Sequence, residues 1–217
     1  MIRRYSEYTL GDMRLVYWLD EAERVSMTLI PLSMAEKTVE KAYTPEPLVQ
    51  VHAEGDPLPN GYGNGITLAC TRASDLMTFR SQTVEDGHIV TRMSGPDGRT
   101  VCHSVRWREG WQGVEVKTAF YNGSKEPVRL DLLSSVNLGG ITPFEAGDTP
   151  DTLVLHRFQS AWSAEGRLLS QPVEEIMLER PWMGHALRIV KFGQVGSMPV
   201  RGFFPFAALE DRKAGVT

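Results

Sequence analysis

The segment QGVEVKTAFYNGSKEPVRLDLLSSVNL, residues 112–138, is the one from which the fold is read. Val114, Val116, Thr118 and Phe120 alternate with Glu115, Lys117, Ala119 and Tyr121. Val128, Leu130, Leu132, Ser134, Val136 and Leu138 then alternate with Arg129, Asp131, Leu133, Ser135 and Asn137. A period of two over both runs predicts two β-strands, each with one buried face. Asn122-Gly123 tolerates positive φ and Pro127 stops a ladder, so the strands are expected to pair with each other as an antiparallel hairpin in the middle of a sheet. Val128, Leu130 and Leu132 are its expected inward residues, and a slip of one position would expose them.

Outward from this pair, more strands are expected. Met13 to Leu19 is a strand closed by the acidic turn Asp20-Glu21-Glu23, read as solvated. Val25 to Ile30 resumes and Pro31 ends it. Ser33 to Lys41 is the best helical signal, with Ser33 as N-cap and Glu36 as capping-box partner. Leu48 to Ala53, Ile66 to Thr71, Leu76 to Thr83, His88 to Met93 and Arg99 to Trp107 read as strands. Gly87 and Pro96-Asp97-Gly98 supply turns. Further strands are expected at Leu153 to Ser160, Pro172 to Glu179 and Leu187 to Phe192, with an apolar aromatic stretch at Gly202 to Ala208. Short strands at regular spacing with almost no helix predict an all-β protein, a large antiparallel β-sandwich.

The totals agree. A chain of 217 residues suits one large β domain over residues 1–217, and 41% apolar residues with five tryptophans supply a core. A net charge of −4 argues against a nucleic-acid partner, which demands a basic face. Cys70 and Cys102 form no C-x-x-C pair and read as buried, reduced thiols. Met1 to Glu7 carries two arginines and no apolar region after them, so it does not read as a signal peptide, and no apolar run reaches membrane-spanning length. A cytoplasmic protein with no membrane partner is the expectation.

Catalytic chemistry is sparse. The histidines at 52, 88, 103, 156 and 185 fall in no metal-ligand spacing, and no serine sits in a nucleophile elbow, so neither a metal nor a cofactor is expected. His88 and His103 read as ordinary sheet residues. Residues 52–65 form a glycine- and proline-rich loop. Gly61, Gly63 and Gly65 do not make a phosphate cradle, because a strand rather than a helix follows them. Such a loop is either a binding element or a solvent-exposed connection. His156 to Arg167 gathers an imidazole, two guanidinium groups, an indole and a carboxylate. That set suits sugar recognition, but a protein interface or a structural role is placed ahead of it.

Several of these residues also carry a resemblance. Tyr121 to Leu130, His156-Arg157 with Trp162 and Glu165, Gly196-Ser197, Pro205-Phe206, and Leu48 to Val51 before the acidic glycine-rich loop together resemble the N-terminal domain of the melibiase-type α-galactosidases, glycoside hydrolase family 36. The resemblance runs from about Thr28 to Arg212. It implies a β-supersandwich, incomplete at the C-terminus of this chain, followed in the parent enzyme by a (β/α)8 barrel whose two aspartates carry out a retaining hydrolysis. It therefore implies no catalytic residue within residues 1–217. It further implies that the loop at residues 52–65 reaches the sugar site of a neighbouring subunit of a homo-oligomer, which makes Asp56 and Tyr62 candidate contacts to an α-galactoside oligosaccharide. Arg157, Trp162 and Glu165 become candidate packing residues against the chain's own barrel domain. The competing reading is a non-catalytic carbohydrate-binding or oligomer-assembly module of the same fold.

Overall fold

The computed structural model describes residues 2–39, 46–57, 71–141, 143–147, 150–178, 190, 192–193 and 202–217. Among the described residues the protein is all-β, 48% strand and 6% helix, with several antiparallel sheets and no barrel, as in a β-sandwich. The chain divides into two compact units, Met1–Gly61 with Ala69–Pro143 and Tyr62–Leu68 with Phe144–Thr217.

Among its described residues the first unit holds three sheets. β1 (Arg3–Leu10), β2 (Met13–Leu19) and β3 (Val25–Pro31) pair in sequence order. β5 (Thr78–Glu85), β6 (His88–Ser94), β7 (Arg99–Arg106) and β8 (Glu115–Asn122) form a four-stranded meander, and β4 (Val51–Ala53) pairs with β9 (Leu130–Leu133). Strand periodicity puts Leu15, Tyr17 and Leu19 of β2 on one face of the first sheet. Ile89, Met93, Val101 and Val105 line one face of the meander, and all seven join a single buried cluster with Leu48 and Val51. Each such aliphatic side chain contributes roughly 1.5–3 kcal/mol on burial.

β1 carries no clear apolar alternation, yet Ser6, Tyr8 and Leu10 are its less exposed positions, at period two. Ser6 Oγ and Tyr8 Oη both donate to Gln82 Oε1 of β5, at 2.6 and 2.9 Å. The polar character of that inward face hides the strand from a hydrophobic pattern.

Three expectations are corrected. The hairpin of residues 112–138 does not form, because β8 pairs with β7 and β9 with β4. The connector curls on itself: Asn122 Nδ2 donates to Glu126 O, while Asn122 Oδ1 accepts from Ser124 N and Oγ. Pro127 has no N–H for a ladder. Leu133 rather than Leu130 then packs on the core, and Leu130 is 37% exposed. Gly123 is required by close approach rather than by positive φ, since a Cβ there would lie 2.4 Å from Gly98 O.

The second correction concerns Ser33 and Glu36. Leu32 N donates to Asp12 O at 2.7 Å, so a 3-10 helix, Leu32–Lys37, starts directly from Pro31 without a side-chain cap. Ser33 therefore lies inside the helix, two residues past the capping position.

The third is the acidic turn after β2. Asp20 is 7% exposed and accepts from Ala22 N, Arg24 N and Arg24 Nε. Arg24 also pairs with Asp75 of the one-turn helix α1 (Arg72–Asp75). This turn is a structural clasp and not a merely solvated one.

Across the inner face of the meander runs a polar row that strand register alone creates, with Gln82 opposite Thr91, Thr91 opposite His103, and His103 opposite Thr118. Gln82 Nε2 donates to Thr91 Oγ1 at 2.9 Å. His103 is wholly buried, neither ring nitrogen has a partner, and burial holds its pKa down to about 4. It is a neutral core residue, consistent with its reading as an ordinary sheet histidine.

Candidate functional site

Asp56 sits in the turn that follows β4, where Asp56 N donates to Ala53 O. Its carboxylate accepts from Arg99 Nη1 through both oxygens at 2.8 Å, and Oδ2 also accepts from Ala53 N at 2.8 Å. Both partners are well covered, the aspartate side chain 11% and the arginine side chain 15% exposed. Asp97 Oδ2 lies 2.7 Å from Arg99 Nε, so one guanidinium ties the turn after β4 to the β6–β7 turn. Asp56 is thus engaged by the protein's own groups. Tyr62 lies outside the described residues, as do most of its loop and Cys70. Among the described residues Cys102 is a free thiol of intermediate burial.

Breaking a largely covered pair leaves the other charge without a partner. Asp56→Ala is therefore expected to lower stability by about 2 kcal/mol, read as a lower urea midpoint at unchanged slope. A midpoint equal to that of the wild type would remove the clasp role.

The second unit carries the other candidates. β10 (Leu153–Gln159) lies between β11 (Leu168–Pro172) and β12 (Phe203–Asp211), both antiparallel to it. The return strand starts at Leu168, not Pro172 as the spacing predicts, because the turn at residues 160–167 closes tightly. Gln159 N donates to Arg167 O and Gly166 N to Gln159 O, both at 2.9 Å, with Ser163 and Gly166 at positive φ. Pro205 is tolerated within β12, which is the edge strand of this sheet among the described residues.

The three candidates here do not share an environment. Arg157 is 6% exposed, with its guanidinium 4.5 Å from the ring centre of Phe203 and 5.2 Å from that of Phe192, and it donates to Gln171 Oε1. Buried cation–π stacking of this kind is a packing interaction. Trp162 and Glu165 lie on the exposed turn, and Trp162 is 71% exposed. Arg157 stabilises the sheet, while Trp162 presents an indole to the surroundings.

Register also assembles a row that no local spacing signals. His156 Nδ1 lies 2.8 Å from Ser170 Oγ, and its Nε2 lies 3.2 Å from Glu210 Oε2, which also accepts from Arg212 Nε at 3.4 Å. A hydroxyl, an imidazole and a carboxylate in contact can brace three strands, and they can hold the ring in one tautomer. Among the described residues no group of three or more histidine, cysteine or acidic side chains is placed to hold a metal ion, and no helix is long and apolar enough to cross a membrane. Neither a known protein family, nor a characterised protein, nor a solved structure matches this chain.

Proposed function

We propose that this chain is the N-terminal sandwich portion of a retaining α-galactosidase that hydrolyses terminal α-galactosyl residues of oligosaccharides, with the catalytic aspartates on a (β/α)8 barrel encoded beyond Thr217. The observation that carries a scaffold role is the contrast within the charged and aromatic candidates. Asp56, Arg99 and Arg157 are engaged in holding strands and turns together, while Trp162 is left 71% exposed on the β10–β11 turn. An exposed indole beside a carboxylate is the composition of a docking surface, because aromatic residues dominate interface energetics. The antiparallel all-β architecture supports the same reading, as do the residues that resemble the family. In this reading the partners are the chain's own barrel and further copies in a homo-oligomer, and the isolated chain is inactive.

The test is to sequence the reading frame past Thr217 and to assay the complete product and the isolated chain on raffinose. The expected result is an alternating strand and helix pattern, with hydrolysis by the complete product and none by residues 1–217. A frame that stops at once, or a complete product that releases no galactose, overturns the enzyme reading in favour of a stand-alone carbohydrate-binding or assembly module.

A further inference from the structure

The outer face of the β5–β8 meander takes no part in the buried core cluster. Strand register lines up Glu85, His88, Arg106 and Glu115 across all four strands on this face. At the β5–β6 end it opens into a depression of about 310 Å³ lined by Thr83, Glu85, Asp86, His88, Val90 and Arg106. That volume is at the small end of the range, roughly 300–1,000 Å³, that accommodates organic ligands.

The walls are held in place. Asp86 and Gly87 both have positive φ, 47° and 73°, as a two-residue hairpin turn requires. Trp107 N donates to Gly87 O at 3.1 Å, and the turn is packed so closely on this strand that a Cβ at Gly87 would lie 2.4 Å from Trp107 O. Glu85 and Asp86 are therefore presented on a rigid corner. Arg106 is less completely engaged: its Nη1 is 3.8 Å from Glu115 Oε2, too long for a hydrogen bond, and its Nε is shielded from solvent without a partner. Glu115 is held instead by Lys117 Nζ at 2.7 Å.

We infer that this depression is a binding site for a neutral polyhydroxylated ligand, a terminal sugar unit of an oligosaccharide. Two carboxylates disfavour an anion, and the central guanidinium disfavours a cation. A sugar hydroxyl can donate to Glu85 or Asp86 and accept from Arg106, so groups of both signs serve a ligand with no charge. Val90 supplies an apolar floor for the ring's C–H face. The depression uses none of the candidate residues at Asp56 or on the β10–β11 turn. The assignment to galactosides rests on the proposed function, whereas the assignment to a neutral sugar rests on this lining alone.

The experiment titrates purified chain with raffinose by isothermal calorimetry and by ligand-observed NMR. Saturable binding is expected, and Glu85→Gln and Arg106→Gln should each weaken it about tenfold, the loss of one charge-assisted hydrogen bond. Lys125→Gln, exposed beyond the far end of β8, should leave it within about twofold, well under the 1.4 kcal/mol of a tenfold change. Far-UV circular dichroism checks folding, and if Arg106→Gln fails that check, Asp86→Asn at the exposed turn takes its place. No saturable signal, or a signal insensitive to the Glu85, Asp86 and Arg106 substitutions, overturns the site. Binding by the chain without hydrolysis by the complete product leaves the site standing and removes the enzyme. Hydrolysis by the complete product without binding by the chain does the reverse.

Discussion

His103→Leu is expected to remove the part of the protein's acid sensitivity that lies between about pH 6.5 and pH 4. An unfolded imidazole titrates near 6.5, whereas burial without any partner holds the His103 ring down to about 4 in the folded chain. Between those values the unfolded state binds a proton that the folded state does not. Stability is therefore complete above about pH 6.5 and falls as pH drops, at about 1.4 kcal/mol per pH unit, until the folded ring itself protonates. The total loss is about 3 kcal/mol, a large fraction of the 5–15 kcal/mol typical of a domain. Leucine has a similar shape and no nitrogen to desolvate, so at pH 7 the variant should be at least as stable as the wild type. Urea midpoints for both proteins at pH 7.5, 6, 5 and 4.5 make the comparison. Two curves that fall in parallel would show that His103 is not the titrating group.

Asp20→Ala should lower stability by about 3 kcal/mol at pH 7, because one largely buried carboxylate satisfies two backbone N–H groups and a guanidinium. Arg24 keeps Asp75 as a partner, which holds the loss below that of a fully orphaned cation. Burial pushes the Asp20 carboxyl up, but the Arg24 backbone and guanidinium and the Ala22 amide outweigh it, so its pKa lies below the usual carboxylate range. The stability it contributes is present above the unfolded value, near 3.9, and is lost as pH falls below that. Its window therefore lies under that of His103, and the two effects separate along one pH titration. Asp20→Asn keeps an acceptor for the amides and should recover roughly half of the loss at pH 7. An alanine variant with an unchanged urea midpoint would mean that the turn contributes nothing to the fold.

The local code of this chain is legible wherever one face is apolar and a turn residue closes the strand. β2 follows from its apolar run of strand formers and the acidic cluster that closes it, β3 from Pro31 at its end, and β6 and β7 from Gly87 and the Pro96-Asp97-Gly98 turn. β1 escapes because its inward residues Ser6 and Tyr8 are polar, and they are satisfied by Gln82 from a strand more than seventy residues away. α1 escapes because one turn of helix has no periodicity. It is capped by Thr71, and Ser74 Oγ accepts from Val51 N, which is again a distant partner.

Among the candidate sites the same division holds. Asp56 is legible as a loop acid, but its bidentate pairing with Arg99 depends on bringing together residues 43 positions apart. The composition of residues 156–167 marks the segment as unusual, yet only the sheet separates a buried Arg157 from an exposed Trp162. The outer depression is not legible locally, because Arg106 joins Glu85 and His88 only when β7 is in register with β6.

What the sequence by itself determined is the all-β class and the limits of most strands, since alternation and turn chemistry act over fewer than ten residues. What only the tertiary structure decided is which strand meets which. β8 and β9 both have strand character, but a connector folded on Asn122 and the open edges of β7 and β4 draw them apart. Partner choice is a competition among long-range edges, and the buried polar row and the outer depression follow from its outcome.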